Sequence, residues 1–144
     1  MFIPKDLNFK ERIQHKMLAN NFMQYIGFKV TQIEAGKISG ELILEEHHLQ
    51  QSKFLHGGVT ATLADLVAGF ASFTLVNSNQ TVVTSDLKIA YLNPGIGQKV
   101  LAKGWVIKAG NTLHFAEAEI ICVNEGSETL VAKGYLTFAV VNIP

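Results

Sequence analysis

The sequence predicts an α+β domain in which a curled antiparallel sheet wraps one long apolar helix. Two observations carry that expectation. Residues 55–76 are apolar or small almost throughout, and a helix that is apolar all round belongs in the core of a soluble protein. Around this segment lie six shorter runs rich in β-branched and aromatic residues, two before it and four after. Strands that run together beside one segregated helix make an α+β architecture. Because the helix offers an apolar surface on nearly every side, the sheet is expected to curl around it.

The elements follow in order. Residues 6–24 mix charged positions with Leu7, Phe9, Ile13, Met17 and Phe22, a spacing that predicts a short helix capped by Asp6 or Asn8. Residues 27–34 and 37–44 read as two strands joined at Ala35-Gly36, the second with a loose period of two. Residues 47–55 read as a polar loop, with His47-His48 in solvent. The long helix comes next. After Asn77-Ser78-Asn79, strands are expected over 81–92, 99–108, 112–123 and 129–141. Asn93-Pro94-Gly95, Ala109-Gly110-Asn111 and Asn124-Glu125-Gly126 separate them as turns, and three hairpins in a row predict a continuous meander. No repeat or low-complexity segment interrupts the pattern. The 144 residues therefore read as a single domain, with an N-terminal helical segment at about 6–24 and a core at about 25–144.

Composition narrows the function classes. Formal net charge is zero and Arg12 is the only arginine, so no basic stripe invites nucleic acid. The long helix is diluted by Gly57, Gly58, Thr60, Thr62, Gly69, Ser72 and Thr74 and interrupted by Asp65, which argues against a membrane span. The N-terminus lacks the basic region and apolar run of a signal peptide, so a cytoplasmic location is expected. Cys122, the single cysteine, reads as a small core hydrophobe. His15, His47, His48 and His114 show no metal-ligand spacing, so no metal is expected.

The chemistry concentrates on the long helix. Asp65 is the only charged residue between Lys53 and Asp86. A carboxylate on such a segment is costly to bury without partners. The helix opens with His56-Gly57-Gly58, and a helix start offers unpaired N–H groups and the positive end of the dipole. Glycines there let a substrate approach the backbone. The bland readings stand beside these. Asp65 can be a structural carboxylate satisfied by Thr62 or by a neighbouring chain, the glycines a tight helix entry, His56 a loop-orienting residue, Gln50 an ordinary loop residue and Thr84 a strand former. Asp86 alternates with Thr84 and is expected on the same face.

This order, with Leu55-His56-Gly57-Gly58-Val59-Thr60-Ala61-Thr62-Leu63-Ala64-Asp65 and then Thr84-Ser85-Asp86-Leu87-Lys88-Ile89-Ala90-Tyr91-Leu92-Asn93-Pro94, resembles the hotdog-fold acyl-CoA thioesterases, nearest to the PaaI-like branch. The resemblance covers nearly all of the chain after about Asn20. It implies that Asp65 is the catalytic base or nucleophile and that the Gly57 N–H polarises the thioester carbonyl. It places the branch's amide side chain on Gln50 and its strand hydroxyl, often Ser in relatives, on Thr84. It implies an acyl-CoA substrate with a small or medium acyl or aryl group, no cofactor, and a homodimer or homotetramer with active sites at a dimer interface. Gly57 and Asp65 are eight residues apart, about 12 Å of helical rise, and a site shared between subunits would resolve that distance. His56 and Gly58 are further candidates at the motif. Lys88, Lys103, Lys108 and Lys133 could meet the phosphates of coenzyme A, with Lys108 and Asn111 preferred because a turn presents backbone donors there. The competing readings are a hotdog hydratase or dehydratase and a non-catalytic acyl-CoA binding module.

Overall fold

The computed structural model describes all 144 residues. The N-terminal segment forms two helices, α1 (Phe9–Ala19) and α2 (Asn21–Ile26), rather than the single one expected. Asn20 divides them: its side chain turns back to accept from the Met23 N–H at 3.0 Å and caps α2. The expected side-chain cap of α1 is absent: Asn8 stands at the N-cap without a capping bond, and Asp6 instead accepts from the Asn8 N–H at 2.9 Å and pairs with Arg12 at 3.0 Å.

The strands are β1 (Lys29–Glu34), β2 (Lys37–Ile43), β3 (Gln80–Tyr91), β4 (Lys99–Ala109), β5 (Leu113–Asn124) and β6 (Ser127–Asn142), with the long helix α3 (Gly57–Phe73) between β2 and β3. All six form one antiparallel sheet in the order β1-β2-β4-β5-β6-β3. The expected meander holds only for β4, β5 and β6. Asn93-Pro94-Gly95 does not close a hairpin, because β3 pairs with β6 at the far edge. The chain after β3 instead crosses the end of the sheet. The Leu92 and Asn93 N–H groups both bond to the Val131 carbonyl, and the Gly95 carbonyl accepts from the Leu55 N–H. The Gln98 N–H then bonds to Val123, which delivers β4 between β2 and β5.

The sheet curls over α3, but the helix is not buried on every side. Thr60, Leu63, Ala64, Val67, Ala68 and Ala71 are buried and recur at helical spacing, so this face meets the sheet. Ala61, Thr62, Asp65, Leu66 and Gly69 stay half-exposed on the opposite side. The sheet comes close because the facing residues are small. A Cβ on Gly104 of β4 would lie 2.5 Å from the Val67 backbone, so only glycine fits at that crossing. Cys122 is a core residue as expected, and burial pushes its thiol up to about 11. His48 is not solvated. It is buried, accepts from the Glu45 N–H at 3.0 Å through Nδ1 and meets the Ile26 carbonyl at 2.7 Å through Nε2. The loop after β2 is thereby tied to the end of α2. No helix is long and apolar enough to cross a membrane.

Candidate active site

The start of α3 is built by His56. Its Nδ1 accepts from the Gly58 N–H at 2.8 Å, while its carbonyl accepts from the N–H groups of Val59 at 3.0 Å and Thr60 at 3.2 Å. The Thr60 bond is the first of the helix itself; of the four N–H groups that a helix start leaves open, those of Gly58 and Val59 are satisfied within the turn and that of His56 by the His48 carbonyl at 2.9 Å. The fourth, on Gly57, has no acceptor there. It lies at the positive end of the helix dipole. The Gly57 carbonyl accepts from the Tyr91 hydroxyl at 2.8 Å, which holds the helix start against the end of β3. A Cβ on Gly57 would touch the Tyr91 ring at 3.3 Å, and one on Gly58 would touch His56 Nδ1 at 3.0 Å. Both glycines therefore answer to space rather than to unusual backbone angles.

Asp65 is half-exposed rather than sunk in apolar surroundings, so the expected burial cost does not arise. Its partner is Thr84, not Thr62: the Thr84 hydroxyl donates to Asp65 Oδ1 at 2.7 Å. That bond fixes one carboxylate oxygen and leaves Oδ2 without a protein partner, on a residue that lines the cleft. Asp86 is not on this face. The β3–β6 register slips between Thr84 and Asp86, so Thr84 stands opposite the buried Phe138 while Asp86 stands opposite Thr137. Neighbouring residues of β6 face opposite sides, and the inserted residue Ser85 has broken the alternation.

The predicted residues fall into two separate clefts. The first, of about 500 Å³, is lined by Asp65 and Thr84 together with Leu66, Phe70, Phe73 and Phe138. The second, of about 390 Å³, is lined by Gln50, Gly57, Tyr91 and Pro94 among others. Within one chain, then, the acid and the open N–H do not share a cleft. His56 and Gly58 line neither, and both are occupied in capping the helix. Gln50 reaches its own loop, where its side-chain oxygen accepts from the Ser52 N–H. Lys108 and Asn111 are exposed near the β4–β5 turn and line neither cleft. Lys133 is committed to Glu117 at 3.4 Å and Glu119 at 3.6 Å. Sequence reasoning missed the contribution of the N-terminal helices: Lys16, Ala19, Asn20 and Asn21 roof the first cleft.

Residues 52–129 match the model of the thioesterase superfamily, a span that contains α3 and both Asp65 and Thr84. The chain belongs to this superfamily. It is a thioester hydrolase with the hotdog fold. The human protein named acyl-coenzyme A thioesterase 13 is 32% identical over 130 residues, covering 88% of this chain and 90% of that protein. A thioesterase family protein from Silicibacter pomeroyi superposes with a TM-score of 0.91 at 25% identity, covering 93% of this chain and 98% of the other. Thioesterase superfamily member 2 from zebra fish gives a TM-score of 0.75 at 29% identity, covering 96% and 99%.

Proposed function

We propose that this hydrolase is an acyl-CoA thioesterase whose active site is assembled from two copies of the chain, with Asp65 of one copy facing Gly57 of the other. The observation that carries the proposal is Asp65 itself. It is the only acid on α3, it opens into the larger cleft, and one of its oxygens is held by Thr84. The coenzyme A ester as substrate is supported by the name of the human relative.

Hydrolysis needs a stabilised carbonyl oxygen and an activated water or a nucleophile. The Gly57 N–H meets the first need, since its dipole and lack of a local acceptor favour an oxygen that gains negative charge. The free Oδ2 of Asp65 meets the second, as a base toward water or as a nucleophile toward the carbonyl carbon. Gln50 lies in the Gly57 cleft and supplies an amide beside the carbonyl. Lys108 and Asn111 are assigned to the phosphates of coenzyme A, because Lys108 makes no ion pair whereas Lys133 is already neutralised. The acyl group is small or medium, aliphatic or aromatic, and the assembly is a dimer or a dimer of dimers.

The test is hydrolysis of short, medium, long and aromatic acyl-CoAs, followed by a thiol reagent, for the parent and Asp65→Asn. The amide matches the carboxylate in shape but cannot take a proton, and a positioned base is worth about 10²–10⁴-fold. The variant should fold and assemble but lose turnover by at least that lower figure. Turnover within about tenfold of the parent would remove Asp65 from the mechanism.

A further inference from the structure

The cleft that opens at Asp65 and Thr84 runs along α3 past Leu66, Gly69 and Phe70 to Phe73, with Val82 and Phe138 also in its lining. Asp65 and Phe73 are eight residues apart on one helix, about 12 Å of rise. That distance matches roughly ten extended single bonds, taking three backbone bonds for every 3.3–3.6 Å of chain. The middle of the cleft is apolar, and its two ends are polar.

The far end carries donors. Lys16 Nζ lies 4.6 Å from the centre of the Phe73 ring and donates to Thr81 Oγ1 at 3.1 Å. It makes no ion pair, in contrast to Arg12 one turn earlier, whose guanidinium is taken by Asp6 and by the carbonyls of Val76 and Gln80. A lysine ammonium has three N–H donors, so Thr81 leaves two of them unmatched by protein. Asn20 sits beside it in the lining, and its side-chain oxygen is already used by the Met23 N–H. What Asn20 has left to offer is its NH₂ group.

An apolar floor of this length that ends in an unpaired ammonium and an amide donor fits an acyl chain with an anion at its tip. We propose that Lys16 is a specificity-determining residue, and that the acyl group ends in a carboxylate distal to the thioester: a dicarboxylic acyl-CoA of roughly six to ten carbons. This rests on the reading of the Asp65 cleft as the acyl site of a thioesterase. Partial burial, and then the neighbouring Arg12, push the Lys16 ammonium below the usual lysine value. A bound carboxylate would offset both effects.

The experiment compares kcat/KM for two straight-chain acyl-CoAs of equal length, one ending in a methyl group and one in a carboxylate. The parent should prefer the carboxylate. Lys16→Met keeps the apolar stem but removes the charge, and should lower the carboxylate-to-methyl ratio by about tenfold, the lower end of what a hydrogen bond to a charged group is worth. The loss should fall on KM rather than kcat, because the contact is made equally in the ground and transition states. Lys16→Arg should restore most of the ratio. A ratio unchanged by Lys16→Met, or a parent that prefers the methyl-ended ester, overturns the proposal. If the parent hydrolyses neither ester but does hydrolyse an aromatic acyl-CoA, the dicarboxylic proposal falls and the thioesterase reading stands; if it hydrolyses no acyl-CoA at all, the acyl-CoA reading fails on its own. Calorimetric binding of the free dicarboxylic and monocarboxylic acids then decides the role of Lys16. Tighter diacid binding that Lys16→Met abolishes supports it, and equal binding refutes it.

Discussion

Thr84 determines how Asp65 is presented. Its hydroxyl donates to Oδ1 at 2.7 Å, so one carboxylate oxygen is held and the second is left without a protein partner. Thr84→Val keeps the shape and the strand preference and removes only the donor. A hydrogen bond to a charged group is worth about 1.5–3 kcal/mol, so kcat should fall by at least about tenfold while the thermal midpoint barely moves. Steady-state kinetics beside a melting curve would check this, and an unchanged kcat would reduce Thr84 to a strand former. At this scale the sequence was partly legible. Asp65 stood out because a lone acid in an apolar run is conspicuous, although the reason first attached to it, burial, does not hold in the fold. Thr84 came from the resemblance alone. Asp86 was misplaced because a bulge at Ser85 turns it to the other face, and nothing in the alternation of residues announces an inserted one.

Elements place these residues, and the contact between α3 and β4 is a tight constraint on the helix that carries them. Gly104 passes so close to Val67 and Ala68 that an added Cβ would lie 2.5 and 2.6 Å from their backbone atoms. Backbone cannot yield as a side-chain tip can, so the helix must lift from the sheet. Gly104→Ala should therefore destabilise the fold by about 1–3 kcal/mol, the usual cost of overpacking, and read out as a lower urea midpoint with an unchanged slope. Because α3 carries both Asp65 and Gly57, turnover should fall with it; a stable, fully active variant would mean that the two elements separate without cost. Helix α3 and all six strands were legible, since each depends on a pattern within its own residues. Strand order was not. The exchange of neighbours that sends β3 to β6 depends on where the chain from Leu92 to Gln98 finds its backbone partners, and those partners, Val131, Leu55 and Val123, are distant in sequence. The split of the N-terminal segment at Asn20 was hidden for the opposite reason, because it is a local cap inside a run that still reads as helical.

For the whole molecule, stability and assembly follow from groups the fold leaves unsatisfied. His114 is fully buried on β5, with no hydrogen-bond partner for either ring nitrogen. Burial, and then the charge of Lys5, push its pKa below the usual imidazole value, against a smaller opposing pull from the nearby backbone of Gly110 and Ser72, which lack bonding geometry. As pH falls through about 6.5 the unfolded chain takes up this proton while the native chain does not. The stability it contributes is therefore complete above about 6.5 and is lost below it, by up to about 1.4 kcal/mol per pH unit until the native pKa is reached. His114→Leu should flatten this part of the dependence when urea midpoints at pH 7.5 and 5.5 are compared with the parent, and an equal slope in both proteins would place the proton elsewhere. The second unsatisfied feature is an edge. β3 is twelve residues long and lies at the rim of the sheet, with Val83, Leu87 and Tyr91 between 40% and 57% exposed. A long apolar edge invites pairing with another chain. A second copy related by two-fold symmetry would cover it, and the proposed shared site requires that the same operation set each Gly57 cleft opposite the other chain's Asp65. Light scattering at micromolar concentration should thus report a dimer or a multiple of one. Mixing inactive Asp65→Asn with an inactive Gly57 variant should then restore part of the activity, because one of the two sites in the mixed dimer is intact. A monomer that turns over at the full rate would sink the shared site, and both halves of the chemistry would have to be found within one chain.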